Sequence, residues 1–245
     1  METRTDVVPS ASRAGQEQRG SARPNLRITT VVFSFDGAKL RVLAVKSASD
    51  RESYVLPSLE YTDTDDLVSL ARQVISSRLP LDLGPFFQVG AFDNATEASR
   101  ATEKIIEICY FTTASPNDFE FVATGSFPMY RFLEAEEQLE LFESHAVTLA
   151  QAALMELRRK ARFDSVAFDF LSHDFSLSEL QRVFEAILNR TMDVRNFRKK
   201  IEALEILNES PHRPRGMAYR PPRMFSFDKA RFRHRQDSEG EVRFF

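Results

Sequence analysis

Cysteine is almost absent from this chain of 245 residues, since Cys109 is the only one. An intrachain disulfide and a cluster of thiolate ligands therefore cannot form, which excludes zinc fingers and CxxC redox chemistry. Glycine is also scarce, with 8 residues, and no segment reads G-x-G-x-x-G, G-x-x-x-x-G-K-[ST] or G-x-S-x-G. Loops of these kinds cradle phosphates or present a serine nucleophile, so the enzyme classes that depend on them are excluded.

Long apolar runs are missing as well. The apolar run at residues 42–45 falls far short of the roughly 18 residues that a membrane-spanning helix needs. Glu2 and Asp6 interrupt the apolar stretch that a secretory leader would require, so we expect a cytoplasmic protein without a membrane segment. The 4 histidines are scattered along the chain without the spacing of metal ligands, and we expect neither a metal nor a cofactor.

The chain has the composition of a globular protein, with 42% hydrophobic and 28% charged residues, and its length favours two domains. Charge is divided unequally between the two parts. Residues 1–157 carry 14 Lys and Arg against 23 Asp and Glu, a net charge of −9, whereas residues 158–245 carry 19 against 13, a net of +6. A basic segment on an acidic chain is typical of phosphate-backbone binding, although a solvated basic surface has the same composition.

The apolar pattern predicts an α+β fold between two polar tails, residues 1–26 and 231–245, which we expect to be flexible. A helix is predicted from Asp63, because apolar residues follow it at helical spacing from Leu67 to Ile75. A long helix is predicted over residues 145–162. Strands are predicted at 28–35 and 39–46, which flank the turn dipeptide Asp36-Gly37, and at 54–56, 86–92, 104–112, 119–122 and 129–133.

Two further helices are predicted in the basic part. Ser176 and Glu179 form the S-x-x-E pattern of a capping box, which predicts a helix start. Residues 189–192 form a short break, and Asp193 is a suitable N-cap for a second helix that extends to about residue 207. Two helices that meet across a four-residue turn form a helix-turn-helix motif.

The second of these helices has two faces. Val194, Phe197, Ile201 and Leu204 lie on one side, and basic residues lie on the other. Such a helix fits the major groove of DNA, where Arg reads guanine and Asn reads adenine; a solvated basic face is the alternative. The predicted DNA-binding residues of this helix are Arg195, Asn196, Arg198, Lys199 and Lys200.

A basic, proline-containing stretch follows at residues 212–223. It resembles in position and charge the wing of a winged helix. Arginines there are expected to touch phosphate or the minor groove, which adds affinity rather than sequence choice. The predicted contacts in this loop are Arg213, Arg215 and Arg220.

Residues 145–227, with "SVAFDFL", "FSLSELQRVFEAILNRTMDVRNFRKKIEALEIL" and "YRPPRMFSF", resemble the C-terminal winged helix-turn-helix of the Nudix-related transcriptional regulators. The resemblance implies a Nudix-like α/β/α sandwich over residues 27–143, followed by a DNA-binding domain over 144–230. It further implies a homodimer that binds an operator in double-stranded DNA, and a small-molecule effector, either a nucleotide-like metabolite such as ADP-ribose or a sugar-derived compound.

The Nudix hydrolase motif is not intact. Aligned on Arg72, the chain has Gln73, Ser76 and Ser77 in place of three glutamates, and Ser58, Leu59 and Leu79 in place of glycines. Carboxylates one turn apart are what would hold Mg²⁺ against a pyrophosphate, so we expect no hydrolysis and no catalytic residue. Glu60 and Arg72 are the predicted effector-binding residues. The alternatives are a metal-dependent Nudix hydrolase that uses unorthodox carboxylates, such as Glu60 and Asp65, and a protein-interaction or RNA-binding module.

Overall fold

The computed structural model describes residues 25–50, 52–61, 66–93, 105–125, 127–211 and 222–245. The chain folds around one large sheet and a small one. The strands are β1 (Asn25–Phe35), β2 (Leu40–Lys46), β3 (Tyr54–Val55), β4 (Ser58–Glu60), β5 (Phe87–Asp93), β6 (Ile105–Thr113), β7 (Tyr130–Glu134), β8 (Phe175–Ser176), β9 (Leu207–Ser210) and β10 (Met224–Phe227). The α-helices are α1 (Leu67–Ser76), α2 (Pro116–Thr124), α3 (Ser144–Phe163), α4 (Leu177–Leu188), α5 (Val194–Ala203) and α6 (Lys229–Glu239).

The large sheet is mixed and centred on β1. Its main order is β3-β2-β1-β6-β5, with β4 paired to β1 and β7 paired to β2. β1 and β6 run parallel from Asn25↔Ile105 to Phe33↔Thr113, and the other pairs are antiparallel. Residues 28–35 of β1 are all buried, because helices cover both faces of the sheet at this strand.

Each face of the sheet has its own apolar core. On one face, α1 and α2 pack through Leu70, Val74 and Val122 against side chains that include Ile28 and Val32. On the other face, α3 and the C-terminal elements form a larger core that includes Phe33 and Phe111 of the sheet. The predicted α+β class and the α/β/α sandwich are thus confirmed.

The C-terminal elements form a winged helix. A 3-10 helix (Ser165–Phe170) leads from α3 to β8, which is followed by α4, α5 and the antiparallel pair β9–β10. β10 is the middle strand of the small sheet, in the order β8-β10-β9. Prolines are uncommon in a central strand, and the basic loop therefore favours short edge strands on either side of it, but β10 is central: its Met224 and Phe225 pair with Ser176 and Phe175 of β8.

The strand predicted at residues 119–122 is wrong, because these residues lie in α2. Ser115 and Asp118 form a capping box, and Pro116 occupies the first turn, where its missing N–H costs nothing. Phe119 and Val122 are three residues apart, so they share one helical face, which packs toward the sheet. A short apolar run of this kind is compatible with a strand or a helix, and here the cap decides between them.

The flexible tail predicted for residues 231–245 is also wrong. Asp228 accepts a hydrogen bond from Arg231 N and caps α6. Phe232, Val242 and Phe244 are buried in the core below the winged helix. The segment has one apolar residue per turn or fewer, so its sequence shows no amphipathic stripe, but large aromatic side chains anchor it.

Smaller differences concern element ends. β1 begins at Asn25, two residues inside the expected N-terminal tail, β4 has no counterpart among the predicted strands, and α5 ends at Ala203 rather than near residue 207. Glu205 has a positive φ of 53°, which ends the helical conformation there. Among the described residues, no helix is both long and apolar enough to cross a membrane.

Candidate DNA-binding surface and ligand cavity

The capping box predicted for α4 is present. Glu179 N donates to Ser176 Oγ (3.2 Å), and Ser176 N donates to Glu179 Oε2 (2.7 Å). Leu180, Val183, Phe184 and Ile187 are fully buried on one face. α4 is therefore fixed at its start by hydrogen bonds and along its length by the core.

The turn between α4 and α5 is held by side-chain hydrogen bonds. Asn189 ends α4 in the left-handed conformation, with φ 47° and ψ 50°. Glu185 Oε1 accepts hydrogen bonds from Met192 N (2.7 Å) and Gln181 Nε2 (3.0 Å), while Gln181 Nε2 also donates to Met192 O (3.0 Å). These bonds fix the direction in which α5 leaves the turn.

α5 begins at the predicted cap, where Asp193 Oδ1 accepts a hydrogen bond from Asn196 N (2.8 Å). Phe197 and Ile201 are buried, and the ring of Phe197 meets Phe184 of α4 edge-on at a centroid distance of 6.0 Å. Val194 departs from the expected apolar stripe, because it is 50% exposed. The five predicted DNA-binding residues of the helix are all exposed: Arg195, Asn196, Arg198, Lys199 and Lys200.

The basic loop lies between β9 and β10, the position of a wing. Arg213, Arg215 and Arg220 fall outside the described residues, so their role stays a prediction. At the base of the loop, Arg223 forms an exposed two-pronged ion pair with Glu209 (3.0 and 2.6 Å). An exposed pair of this kind stabilises little by itself, but it keeps the C-terminal end of the loop, at Arg223, next to β9.

A cavity of about 580 Å³ opens at one edge of the sheet, between the strands and the start of α3. Three charged residues form a row across its floor, because Arg27 of β1 pairs with Glu60 of β4 on one side and with Glu107 of β6 on the other. Directly paired residues on neighbouring strands project from the same face of a sheet. Glu143 and His145 of the α3 start complete the polar lining.

Glu107 is a buried carboxylate at this cavity, with 4% of its surface exposed. Its Oε2 lies 2.7 Å from His145 Nε2, and Thr29 Oγ1 donates to its Oε1. Burial would raise the pKa of Glu107, but the hydrogen bonds from His145 and Thr29 and the positive charges of His145 and Arg27 outweigh it and lower the pKa. Glu107 is therefore held in its charged form. Sequence reasoning missed it because no local motif contains it.

Glu60 and Arg72 do not come together. Glu60 is exposed at the rim of the cavity. Arg72 is on α1, outside the cavity lining, with its guanidinium carbon 4.8 Å from the centroid of the Phe86 ring. Arg72 thus makes a cation–π contact on the opposite layer of the sandwich.

The helical part of the hydrolase motif lies on the outer side of α1. Gln73, Ser76 and Ser77 are exposed there and offer an amide and hydroxyls rather than carboxylates. Asp66 caps α1 by accepting hydrogen bonds from Val68 N and Ser69 N, while Asp63 and Asp65 fall outside the described residues. Within the described ranges, no three His, Cys, Asp or Glu residues are grouped to hold a metal ion. This donor set does not fit a Nudix-type Mg²⁺ site.

The sheet and the helix-turn-helix touch at the turn. Asn189 Nδ2 donates to Glu136 Oε2 (2.5 Å), and the other oxygen of Glu136 pairs with Arg158 of α3. Arg158 Nε also donates to the carbonyl of Ile187 (2.9 Å), and Arg182 Nη1 donates to the carbonyl of Gly37 (3.0 Å). A cavity of about 500 Å³ adjoins these contacts. The orientation of the helix-turn-helix is thus tied to the β1–β2 hairpin and the end of β7.

Comparison with known proteins agrees with this architecture. Residues 167–227 match the family model of the NrtR DNA-binding winged helix domain. The ADPR responsive transcriptional repressor NtrR of Acinetobacter baylyi is 21% identical over 193 residues, which cover 76% of each chain. Crystal structures of Shewanella oneidensis NrtR, with and without a 27mer DNA, give TM-scores of 0.71 and 0.70 at 20% identity, covering 82% of this chain and 93% of those chains.

A MutT/nudix family protein from Enterococcus faecalis gives a TM-score of 0.58 at 12% identity, over 91% of this chain and 89% of that one. These values establish a shared fold. The predicted resemblance to the Nudix-related transcriptional regulators is therefore confirmed: the chain joins a Nudix-like sheet to a winged helix of the NrtR type.

Proposed function

We propose that this protein is a sequence-specific DNA-binding transcriptional regulator whose Nudix-like part senses a small metabolite. The observation that carries the proposal is α5. Its five polar and basic residues are exposed on two successive turns, while Phe197 and Ile201 are buried and fix the helix to α4. A helix held in this way can enter the major groove with its Arg and Asn side chains directed at base edges.

The effector is an ADP-ribose-like nucleotide sugar that binds in the cavity beside Arg27. The guanidinium of Arg27 suits a phosphate, and the carboxylates of Glu60, Glu107 and Glu143 suit the hydroxyl groups of a ribose. The relative from Acinetobacter baylyi, named for its response to ADPR, supports this class of ligand. Three carboxylates stand against one arginine in the lining, so the hydroxyl groups contribute more to recognition than the phosphates do.

The protein does not hydrolyse its effector. The positions that carry glutamates in a Nudix hydrolase are Gln73, Ser76 and Ser77 in this chain. Incubation with ADP-ribose and Mg²⁺ or Mn²⁺ tests the point, and no AMP or ribose phosphate is expected. Metal-dependent turnover that is lost in Glu60→Gln would instead support the hydrolase alternative.

The units of the chain are an effector domain over residues 27–143 and a DNA-binding domain over 144–230, to which α6 and residues 240–245 add buried aromatic side chains. Two copies form a homodimer, because a two-fold symmetric protein matches the two halves of a palindromic operator. As a DNA-binding regulator, the protein acts in the cytoplasm, where the bacterial chromosome of its relatives lies. Ligand binding at the start of α3 changes the relative position of the two α5 helices.

The deciding experiment recovers genomic fragments bound by the purified protein and repeats the binding with ADP-ribose. The proposal expects a common sequence, retained over random duplex and over RNA as salt rises, and an affinity that ADP-ribose changes. The matched variant is Arg27→Gln, which should keep DNA binding and lose the response to ADP-ribose. Equal binding of all duplexes and of RNA would contradict the proposal.

A further inference from the structure

Residues 240–245, called here the strap, pack beneath α5. Phe244 N donates to the carbonyl of Arg162 at the end of α3 (2.7 Å), and the Phe244 side chain is fully buried. Its ring lies 5.5 Å from that of Phe184 and 5.7 Å from that of Phe232. The strap is therefore anchored on both α3 and α6, and it lies outside residues 167–227 that match the winged helix family model.

The strap also touches α5 directly. The ring of Phe245 stacks on that of Phe197, with a centroid distance of 5.1 Å and an interplanar angle of 7°. Lys200 also contacts the Phe245 ring, with its Nζ 5.1 Å from the ring centroid. One aromatic ring thus supports both the buried stripe of α5 and a cation at the edge of its basic face.

Lys200 of α5 lies over the Phe245 ring, and Arg243 is the exposed residue two positions before Phe245 in the strap, so these two cations belong to the same edge. Arg190, exposed in the turn before α5, adds a third positive charge that acts on Lys200. Burial lowers the pKa of Lys200, and the positive charges of Arg243 and Arg190 lower it further. Within the described part of the chain, no carboxylate forms an ion pair with any of the three. Like charges held together without a counter-charge destabilise the free protein, and a bound anion would relieve the repulsion.

We propose that Arg190, Lys200 and Arg243 form a binding site for a backbone phosphate of the DNA, next to the groove that α5 enters, and that the strap assembles this site. The inference rests on the proposed DNA-binding function and adds Arg190 and Arg243 to its interface. The site adjoins Asn196, since Asn196 and Lys200 are neighbours one turn apart on α5. A contact of this kind adds affinity for every duplex and carries no sequence preference.

The test measures the affinity for a fluorescein-labelled duplex of mixed sequence at several salt concentrations. Compared with wild type, Arg243→Gln and Arg190→Gln should each bind about 3- to 10-fold more weakly at low salt, and each should flatten the slope of log affinity against log salt by about one unit. Arg233→Gln is the matched control, because Arg233 is an exposed arginine of α6 at a position outside the cluster, and its slope should equal that of wild type.

A second arm tests the strap. Phe245→Ala removes the ring that supports Lys200 and Phe197, and it should flatten the slope like Arg243→Gln. The double variant should lose no more than the stronger single variant, because both changes disable one site. Phe245→Tyr keeps the stacked ring and should keep the wild-type slope. Near-UV circular dichroism of each variant separates a local change from loss of the fold.

The possible failures are distinguishable. If wild-type protein binds no duplex, the proposed function itself is wrong. If wild type binds duplex and Arg243→Gln keeps its salt slope, the phosphate site is wrong while DNA binding stands. Equal flattening by Arg233→Gln would show an effect of overall charge, and additive losses in the double variant would show that the strap does not assemble the site.

Discussion

Asp169 is a partly buried carboxyl whose substitution should stabilise the protein at neutral pH. It lies in the 3-10 helix that joins α3 to the winged helix. Burial raises its pKa from 3.8 to about 6, against the charge of Lys229 and with a smaller contribution from Asp164. A Cβ built on Gly84 would lie 3.5 Å from Asp169 Oδ2 and 2.2 Å from Thr113 Oγ1, so the carboxyl and this buried hydroxyl face the same point of the sheet.

The magnitude follows from the pKa. A folded pKa roughly two units above the unfolded value means that ionised Asp169 costs about 3 kcal/mol at pH 7, at about 1.4 kcal/mol per unit. Because the folded pKa is raised, the contribution of Asp169 to stability is complete below pH 3.8 and is lost as the pH rises through about 6. Asp169→Asn cannot ionise, so it should be more stable than wild type by about 3 kcal/mol at pH 7 and equal to it in acid.

The assay is urea unfolding of both proteins at several pH values from about 4 to 7. The free energy of unfolding of wild type should fall relative to that of Asp169→Asn across this range, and at pH 7 the variant should melt about 5–10 °C higher. Glu107→Gln is a control, because the free energy of unfolding of wild type should rise relative to that of this variant as the pH rises. If the difference between Asp169→Asn and wild type does not change with pH, or if the variant is less stable at pH 7, then burial does not set the ionisation of Asp169.

Three further predictions concern the two functional surfaces. Arg195→Ala and Asn196→Ala should each reduce discrimination between operator and scrambled duplex by about 1–3 kcal/mol in gel-shift titrations; equal loss on both duplexes would contradict base reading by α5. Glu107→Gln should be less stable than wild type at pH 7, because the pKa of Glu107 is lowered in the folded protein, and this difference in stability should close as the pH falls below about 4. Urea unfolding measures the difference, and a difference that persists in acid would refute the prediction. Asn189→Gly keeps a residue that tolerates positive φ but loses the bond to Glu136, so the melting temperature should change by less than about 2 °C while the effect of ADP-ribose on operator affinity falls; an unchanged response would show that this contact does not couple the two parts.

The helix-turn-helix could be predicted from the sequence because its signals are local. Ser176 and Glu179 are three residues apart, and the buried residues of α4 repeat at helical spacing. Asp193 caps α5 within the same short stretch. Each signal joins residues within one or two turns of helix, so both partners are close together in the sequence.

The cavity could not be predicted in this way. Arg27 meets Glu107 because β1 and β6 run parallel with that register, and the two residues are 80 positions apart in the sequence. His145 reaches Glu107 from a helix that begins much later in the chain. No periodicity within a strand specifies which residues of two distant strands lie side by side, since register is set by the whole buried face.

The predictions for α2 and for the strap were wrong for a different reason. In α2, the capping pair Ser115 and Asp118 was present in the sequence, but the run Phe119-Glu120-Phe121-Val122, with three apolar residues out of four, favoured a strand. In the strap, Phe244 and Phe245 follow a polar, charged helix, and they form no pattern with their neighbours. Isolated aromatic residues at the edge of a polar segment indicate an anchor only when their partners, here Phe184 and Phe197, are known.

α3 connects all the surfaces on which the proposed function depends. His145 at its start lies in the cavity, Arg158 binds the end of α4 and Glu136, and the carbonyl of Arg162 holds the strap. From His145 to Arg162 the helix axis extends about 25 Å at about 1.5 Å per residue. A tilt of about 5° that a ligand causes at one end would therefore move the other end by about 2 Å, the size of helix shift that switches packed interfaces between states. Because α5 is held by the turn at one end and by Phe245 along its buried side, such a shift would move the recognition helix as a rigid body rather than unfold it.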